Sequence, residues 1–155
     1  MHYSHLSRNL TKTFWILVLS AFSSLAFSVD TDGDGLQDYH IAAGSSYTCA
    51  IDDNGVYCWG FASSGNDPIT VPTGLENPMA VSAGNHTCVI DDNGLHCWGH
   101  NQYEQSTAPA GLLNPVAVAA GEYHTCTIDD NGVQCWGWDD DGQSTVPTDL
   151  VNPVA

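Results

Sequence analysis

The sequence predicts an all-β fold built by repeating small antiparallel sheets, and three observations carry that prediction. Three segments share one pattern: Tyr47-Thr-Cys-Ala-Ile-Asp-Asp-Asn-Gly-Val-Tyr-Cys-Trp-Gly60, His86-Thr-Cys-Val-Ile-Asp-Asp-Asn-Gly-Leu-His-Cys-Trp-Gly99 and His124-Thr-Cys-Thr-Ile-Asp-Asp-Asn-Gly-Val-Gln-Cys-Trp-Gly137. The cysteines at 49, 88 and 126, and again at 58, 97 and 135, set periods of 39 and then 38 residues. No 3.6-residue apolar period is sustained after Val29, because glycine and proline interrupt every stretch.

Taken from the N-terminus, the chain opens with Arg8 and Lys12, its only two basic side chains, ahead of the apolar run Phe14 to Phe22. That run is too short to span a bilayer, and Ala26-Phe27-Ser28 supplies small residues where a signal peptidase reads. Residues 1–28 therefore read as a signal peptide with a mature start near Val29, and the protein is expected to be secreted or at the cell surface. An uncleaved N-terminal anchor is the alternative. All 18 acidic residues lie at or after Asp30, so the body carries no Lys or Arg. Such a body cannot grip nucleic acid or anionic lipid through basic side chains, and it lacks the Arg clamps of phosphoryl transfer.

Residues 29–40 form an acidic segment. Asp30-Thr-Asp-Gly-Asp-Gly-Leu-Gln-Asp38 places carboxylates at positions one, three, five and nine of a loop with glycine at six. Asp30, Asp32, Asp34, the Leu36 carbonyl and Asp38 would make an oxygen cage for Ca²⁺. The acid expected at position twelve is Ile41, so binding should be weak, on the order of 10⁻⁴ to 10⁻³ M. The segment resembles thrombospondin type 3 and bacterial calcium-linker repeats, and its alternative reading is a solvated acidic linker.

Residues 41–155 hold three repeat units, with the chain stopping where a fourth would begin. In each, an apolar stretch such as Met79–Gly84 or Val116–Gly121 suits a buried strand. Thr-Cys-x-Ile and Val/Leu-x-Cys-Trp-Gly then flank Asp-Asp-Asn-Gly, whose glycine supplies the positive φ that the last loop position needs. A four-residue loop from Asp52 to Gly55 opposes Cys49 to Cys58, whereas a three-residue loop would turn Cys58 to the other face. The recurrence of both cysteines favours the former, and bridges Cys49–Cys58, Cys88–Cys97 and Cys126–Cys135. A metal site using these cysteines with His86, His96, His100 and His124 is the weaker alternative, because structural zinc sites space cysteines more closely.

A second phrase joins the units: Val71-Pro-Thr-Gly-Leu-Glu-Asn-Pro78, Ala108-Pro-Ala-Gly-Leu-Leu-Asn-Pro115 and Val146-Pro-Thr-Asp-Leu-Val-Asn-Pro153. The phrase A-G-x-x-H-T-C-x-I-x-x-x-G-x-x-x-C-W-G, continued by Gly142-Gln-Ser-Thr-Val-Pro147, resembles the RCC1 repeat (regulator of chromosome condensation) in its bacterial exported form. The resemblance implies an incomplete β-propeller, with about three blades where the family commonly has seven. The remaining blades would come from a longer reading frame or from self-association. Nucleotide exchange and chromatin docking, the roles of the eukaryotic namesake, do not carry over to an exported chain without Lys or Arg in its body.

Two connections vary between units. From the Ala-Gly glycine to the first cysteine the spacing is five residues in units one and three and four in unit two. The stretch after Cys-Trp-Gly runs Phe61-Ala-Ser-Ser-Gly-Asn-Asp-Pro68, His100-Asn-Gln-Tyr-Glu-Gln-Ser106 and Trp138-Asp-Asp-Asp-Gly-Gln-Ser144. On a propeller these stretches share one face, making Phe61, Asn66, His100, Tyr103, Trp138 and Asp140 candidate binding-loop residues. Trp59, Trp98 and Trp136 are expected to pack between blades. No nucleophile with an adjacent base stands out, and the paired aspartates are explained by turn chemistry, so no enzyme activity is expected. The sequence thus points to a noncatalytic binding or adhesion module for a protein or cell-surface ligand. Its alternatives are a structural surface repeat protein and a propeller appended to an enzyme encoded beyond the C-terminus.

Overall fold

A computed structural model describes residues 40–62, 67–151 and 153. The expected signal peptide, the Ca²⁺ ligands Asp30, Asp32, Asp34, Leu36 and Asp38, and the loop residue Asn66 lie outside the described residues.

Each repeat folds as a three-stranded antiparallel sheet in sequence order. Sheet one holds β1 (Ile41–Ala43), β2 (Tyr47–Asp52) and β3 (Gly55–Gly60). Sheet two holds β4 (Ala80–Ala83), β5 (His86–Asp91) and β6 (Gly94–Gly99), and sheet three β7 (Ala117–Ala120), β8 (His124–Asp129) and β9 (Gly132–Gly137). No helix occurs among the described residues, as the absence of helical periodicity predicts.

The hairpin register is the same in every sheet: Cys49 opposes Cys58, Cys88 opposes Cys97 and Cys126 opposes Cys135. All six cysteines are joined in these pairs, with Cα atoms 4.1 Å apart, which leaves no thiolate for the alternative metal site. The tip is shorter than the expected four residues. Asp52 pairs with Gly55, so only Asp53 and Asn54 remain unpaired, and sheets two and three repeat this. The reason is local. The Asp52 carboxylate accepts the Asn54 N–H at 2.7 Å, and Asp91 and Asp129 accept those of Asn93 and Asn131 at 2.8 Å. This tightens the turn, while Gly55, Gly94 and Gly132 take φ of 124°, 115° and 103°.

Strands β1, β4 and β7 lie inward, β4 against both β1 and β7. They are half-buried or exposed rather than buried as their apolar sequence suggested. Just past β4 the backbones approach so closely that only glycine fits: a Cβ on Gly84 would stand 2.0 Å from the Gly121 carbonyl oxygen. Alanine-rich strands in that position have little side chain to bury. The core instead centres on β5, every residue of which is buried, including Val89 and Ile90.

Candidate functional site

The sheets are tied by a repeated polar seam. The Thr87 hydroxyl and the Trp98 indole N–H both donate to the Pro68 carbonyl, at 2.7 and 3.0 Å. One unit later the Thr125 hydroxyl and Trp136 indole N–H donate to the Gln105 carbonyl at the same distances. The first residues of β2 and β5 reach across to the next sheet. Tyr47 donates its hydroxyl to the His86 carbonyl at 2.7 Å, and His86 Nε2 meets the Thr125 hydroxyl at 2.6 Å. Because Thr125 already donates to Gln105, His86 Nε2 carries the hydrogen and donates. His86 is fully buried, and burial, aided by the His100 and His124 rings, lowers its pKa to about 4. Trp98 and Trp136 thus sit between units, as expected, whereas Trp59 in the first sheet is 52% exposed.

The hairpins have two ends, and these form two rims. The turn rim carries the Asp-Asp-Asn-Gly tips. There the Asp91 carboxylate accepts N–H groups from Glu76 and Asn93, and Asp129 accepts those of Leu113 and Asn131. Asn77 and Asn114 donate side-chain amides to Asp92 and Asp130. The two repeated phrases therefore recur together because one latches onto the other. Burial alone would raise the Asp91 pKa, but the amide N–H groups and the His96 ring outweigh it and hold the carboxyl below its ordinary value. For Asp129 the Leu113 N–H dominates, with the same result.

The loop rim carries the stretches after Cys-Trp-Gly and the short inner-to-middle connections. Phe61, His100 and Trp138 occupy one repeat position, and each is pinned by the same backbone bond. Their N–H groups donate to the carbonyls of Ser46, Asn85 and Tyr123, at 2.9, 3.4 and 2.9 Å. The second and third loops then close through a side chain. Asn101 accepts the Ser106 N–H and donates to the Thr107 hydroxyl, and Asp139 accepts from the Ser144 N–H and Thr145 hydroxyl. Gln105 is the hub of the second loop: its amide oxygen takes the Tyr103 N–H and its amide nitrogen meets His100 Nδ1.

This scaffold brings four rings together. Tyr123 lies 5.6 Å from His100, 5.4 Å from Tyr103 and 5.7 Å from Trp138 between centroids, and Tyr103 stacks on Trp138 at 5.8 Å. Of the loop residues singled out from sequence, His100, Tyr103 and Trp138 join this cluster, and Asp140 is exposed two residues after Trp138. Phe61, 69% exposed, stands at the neighbouring seam. It lines a cleft of about 250 Å³ with Ser45, Ser46, Tyr47, Pro68, Asn85 and His100. Tyr123 was not among the residues singled out. The signal for it was the variable spacing between the Ala-Gly glycine and the first cysteine, since unit three has two residues there, Glu122 and Tyr123, where unit two has only Asn85. The Tyr123 hydroxyl bonds the Glu122 carboxylate, which, with its charge, raises the phenol pKa. Among the described residues, no group of three or more His, Cys, Asp or Glu side chains is placed to hold a metal ion.

The family profile described as Regulator of chromosome condensation (RCC1) repeat matches residues 39–66, 80–105 and 116–143. Among solved structures, the receptor kinase CR4 ectodomain of the moss Physcomitrella patens is 32% identical with a TM-score of 0.55; the match covers 64% of this chain and 29% of that one. Prp20p of Saccharomyces cerevisiae is 23% identical with a TM-score of 0.56, covering 72% and 33%. Human WBSCR16 is 23% identical with a TM-score of 0.54, covering 68% and 37%. The chain thus spans about a third of the length of the solved structures it matches. A search of curated protein sequences gives no significant match. With the repeat profile matched in all three units and the same seam joining successive sheets, the chain belongs to the RCC1-repeat family, and its sheets are blades of an incomplete β-propeller.

Proposed function

We propose that the protein is an exported, noncatalytic recognition module that holds a partner protein or surface ligand on its loop rim. The observation that carries this reading is positional. One repeat site holds Phe61, His100 and Trp138, each fixed by the same backbone bond on the same rim, while the surrounding loop sequence varies. A rigid, repeated scaffold presenting variable aromatic loops is a common arrangement for binding, because aromatic anchors supply large contact area at little conformational cost. Asp91 and Asp129 of the turn rim accept backbone N–H groups in the latches, a structural use that turn chemistry explains.

Three disulfides suit an oxidising compartment, and the moss structure the chain resembles is itself an ectodomain. Residues 1–28 serve as the export signal in this reading, and Asp30, Asp32, Asp34, the Leu36 carbonyl and Asp38 bind Ca²⁺ weakly, ordering the entry to the first blade.

The test is affinity capture with wild-type chain and a Phe61→Ser/Trp138→Ser variant that retains its melting temperature. A partner held by the wild type and lost by the variant supports the reading. Equal capture by both contradicts it.

A further inference from the structure

We propose that the segment bound on the loop rim is basic: an extended stretch of a partner protein whose arginine or lysine side chains seat on the Tyr103–Tyr123–Trp138 cluster and in the Phe61–His100 cleft. This rests on the recognition reading above and adds the chemistry of the partner.

Ring geometry comes first. Tyr103 and Trp138 stack with 27° between planes, and Tyr123 meets both edge-on. Tyr103 is 39% exposed, and Tyr123 and Trp138 are half-buried, so the cluster can be reached from solvent. A cation over the face of Trp or Tyr is attracted by the ring quadrupole, more strongly as water is displaced.

Charge fixes the sign of the partner. Exposed acids flank the rings along the rim: Asp67 beside the Phe61 cleft, Glu104 and Glu122 around Tyr103 and Tyr123, and Asp139, Asp140 and Asp141 after Trp138. Asp67 and Asp139 are committed to their own loops through Thr70 and Thr145, whose hydroxyls, with nearby backbone N–H groups, hold both carboxyls below the ordinary value. Asp140 and Asp141 project beyond that closed turn as exposed charges. The described residues contain no Lys or Arg, so no internal cation neutralises this rim. An acidic segment would be repelled and a neutral one would leave the carboxylates unpaired, whereas a basic one is steered in and paired.

The cleft supplies a second seat. Its volume of about 250 Å³ accommodates one long side chain, and its lining includes Ser45, Ser46 and Asn85, residues that carry neutral hydroxyl and amide oxygens. Guanidinium and ammonium groups are donors only, so acceptor oxygens beside the Phe61 and His100 rings suit them. The cleft and the cluster share His100, making one track across successive blades rather than two separate sites.

The test is calorimetric titration of the purified chain with a six-arginine peptide and a six-glutamine peptide. The arginine peptide is expected to bind and the glutamine peptide not to. Trp138→Ala is expected to weaken arginine-peptide binding about fivefold or more, and Asp140→Asn about threefold, whereas Asp53→Asn, the same charge change at the turn rim, should stay within about twofold. Equal binding of the two peptides overturns the proposal. So do equal losses in Asp140→Asn and Asp53→Asn with none in Trp138→Ala, which would mean that only overall charge attracts the peptide. If capture of a partner depends on Phe61 and Trp138 while the arginine peptide does not bind, the recognition reading stands and this inference falls.

Discussion

At the turn rim, Asp91 and Asp129 each accept two backbone N–H groups, and Asn77 and Asn114 close a second latch onto Asp92 and Asp130. At the loop rim, the equivalent positions hold Phe61, His100 and Trp138, three different side chains on one backbone frame. One rim repeats its side chains, and in the second and third sheets those side chains hold the linking phrase onto the hairpin tip. The other repeats only its backbone bonds and the residues that close its loops, which frees the remaining positions to differ. Sequence repetition at this level therefore marks the residues that hold the fold, and sequence variation marks the positions on which the proposed recognition rests.

The sharpest way to break this comparison is Asp91→Ala. Asp91 is 2% exposed, and its loss leaves the Glu76 and Asn93 N–H groups without partners. The expected cost is about 2–4 kcal/mol, read by denaturant unfolding. Asp52→Ala, at an exposed position where only the Asn54 N–H bond is made, should cost about 1 kcal/mol or less. Similar costs at the two positions would mean that the latch contributes nothing beyond the turn itself.

Acid separates the rims by a different route. His86, beneath the loop rim, has its pKa lowered from 6.5 to about 4, so the unfolded chain binds its proton first as pH falls. The stability held by neutral His86 is complete above about pH 6.5 and is lost progressively down to about 4, amounting to at most about 3 kcal/mol. The carboxyls of Asp91 and Asp129, held below their ordinary value, withdraw their contribution as pH falls from the usual carboxylate range through their lower folded pKa. Hydrogen exchange against pH should therefore loosen the seam at His86–Thr125 before the turn rim. His86→Gln should flatten the dependence between pH 6.5 and 4; a slope unchanged by that substitution would contradict the assignment.

Smaller effects are expected where the loop rim is altered alone. Tyr103→Ser should change unfolding free energy by about 1 kcal/mol while reducing partner affinity about tenfold, a split the turn rim would not show. Glu104 sits at φ 61°, where the third unit has Gly142 at φ 77°. Glu104→Gly should therefore stabilise the chain by up to about 1 kcal/mol, while weakening a basic segment about as much as Asp140→Asn does, because it removes one acid of the rim. Thermal melts together with peptide titration of the two variants check both.

Much of this was legible in the sequence. The recurrence of two cysteines about one turn motif determined the hairpin register, since a one-residue slip would have separated Cys49 from Cys58. The two-residue tip was not legible, because it depends on the Asp52, Asp91 and Asp129 carboxylates capturing N–H groups. Nor was the half-burial of β4 and β7: their apolar residues are mostly alanines, with little side chain to bury, beside the close backbone approach at Gly84 and Gly121. Both phrases of the latch could be seen, but their contact joins residues about 15 positions apart through tertiary folding. Tyr123 was missed for the same reason. It belongs to one connection, while the rings it joins belong to two others, in different blades.

The most direct measurement is hydrogen–deuterium exchange of the chain with and without its captured partner. The account predicts new protection at Phe61, at His100–Gln105, at Glu122–Tyr123 and at Trp138–Asp141, with the tips at Asp53–Asn54, Asp92–Asn93 and Asp130–Asn131 unchanged. Protection gathered at those tips, with the loop rim exchanging as in the free chain, would contradict it.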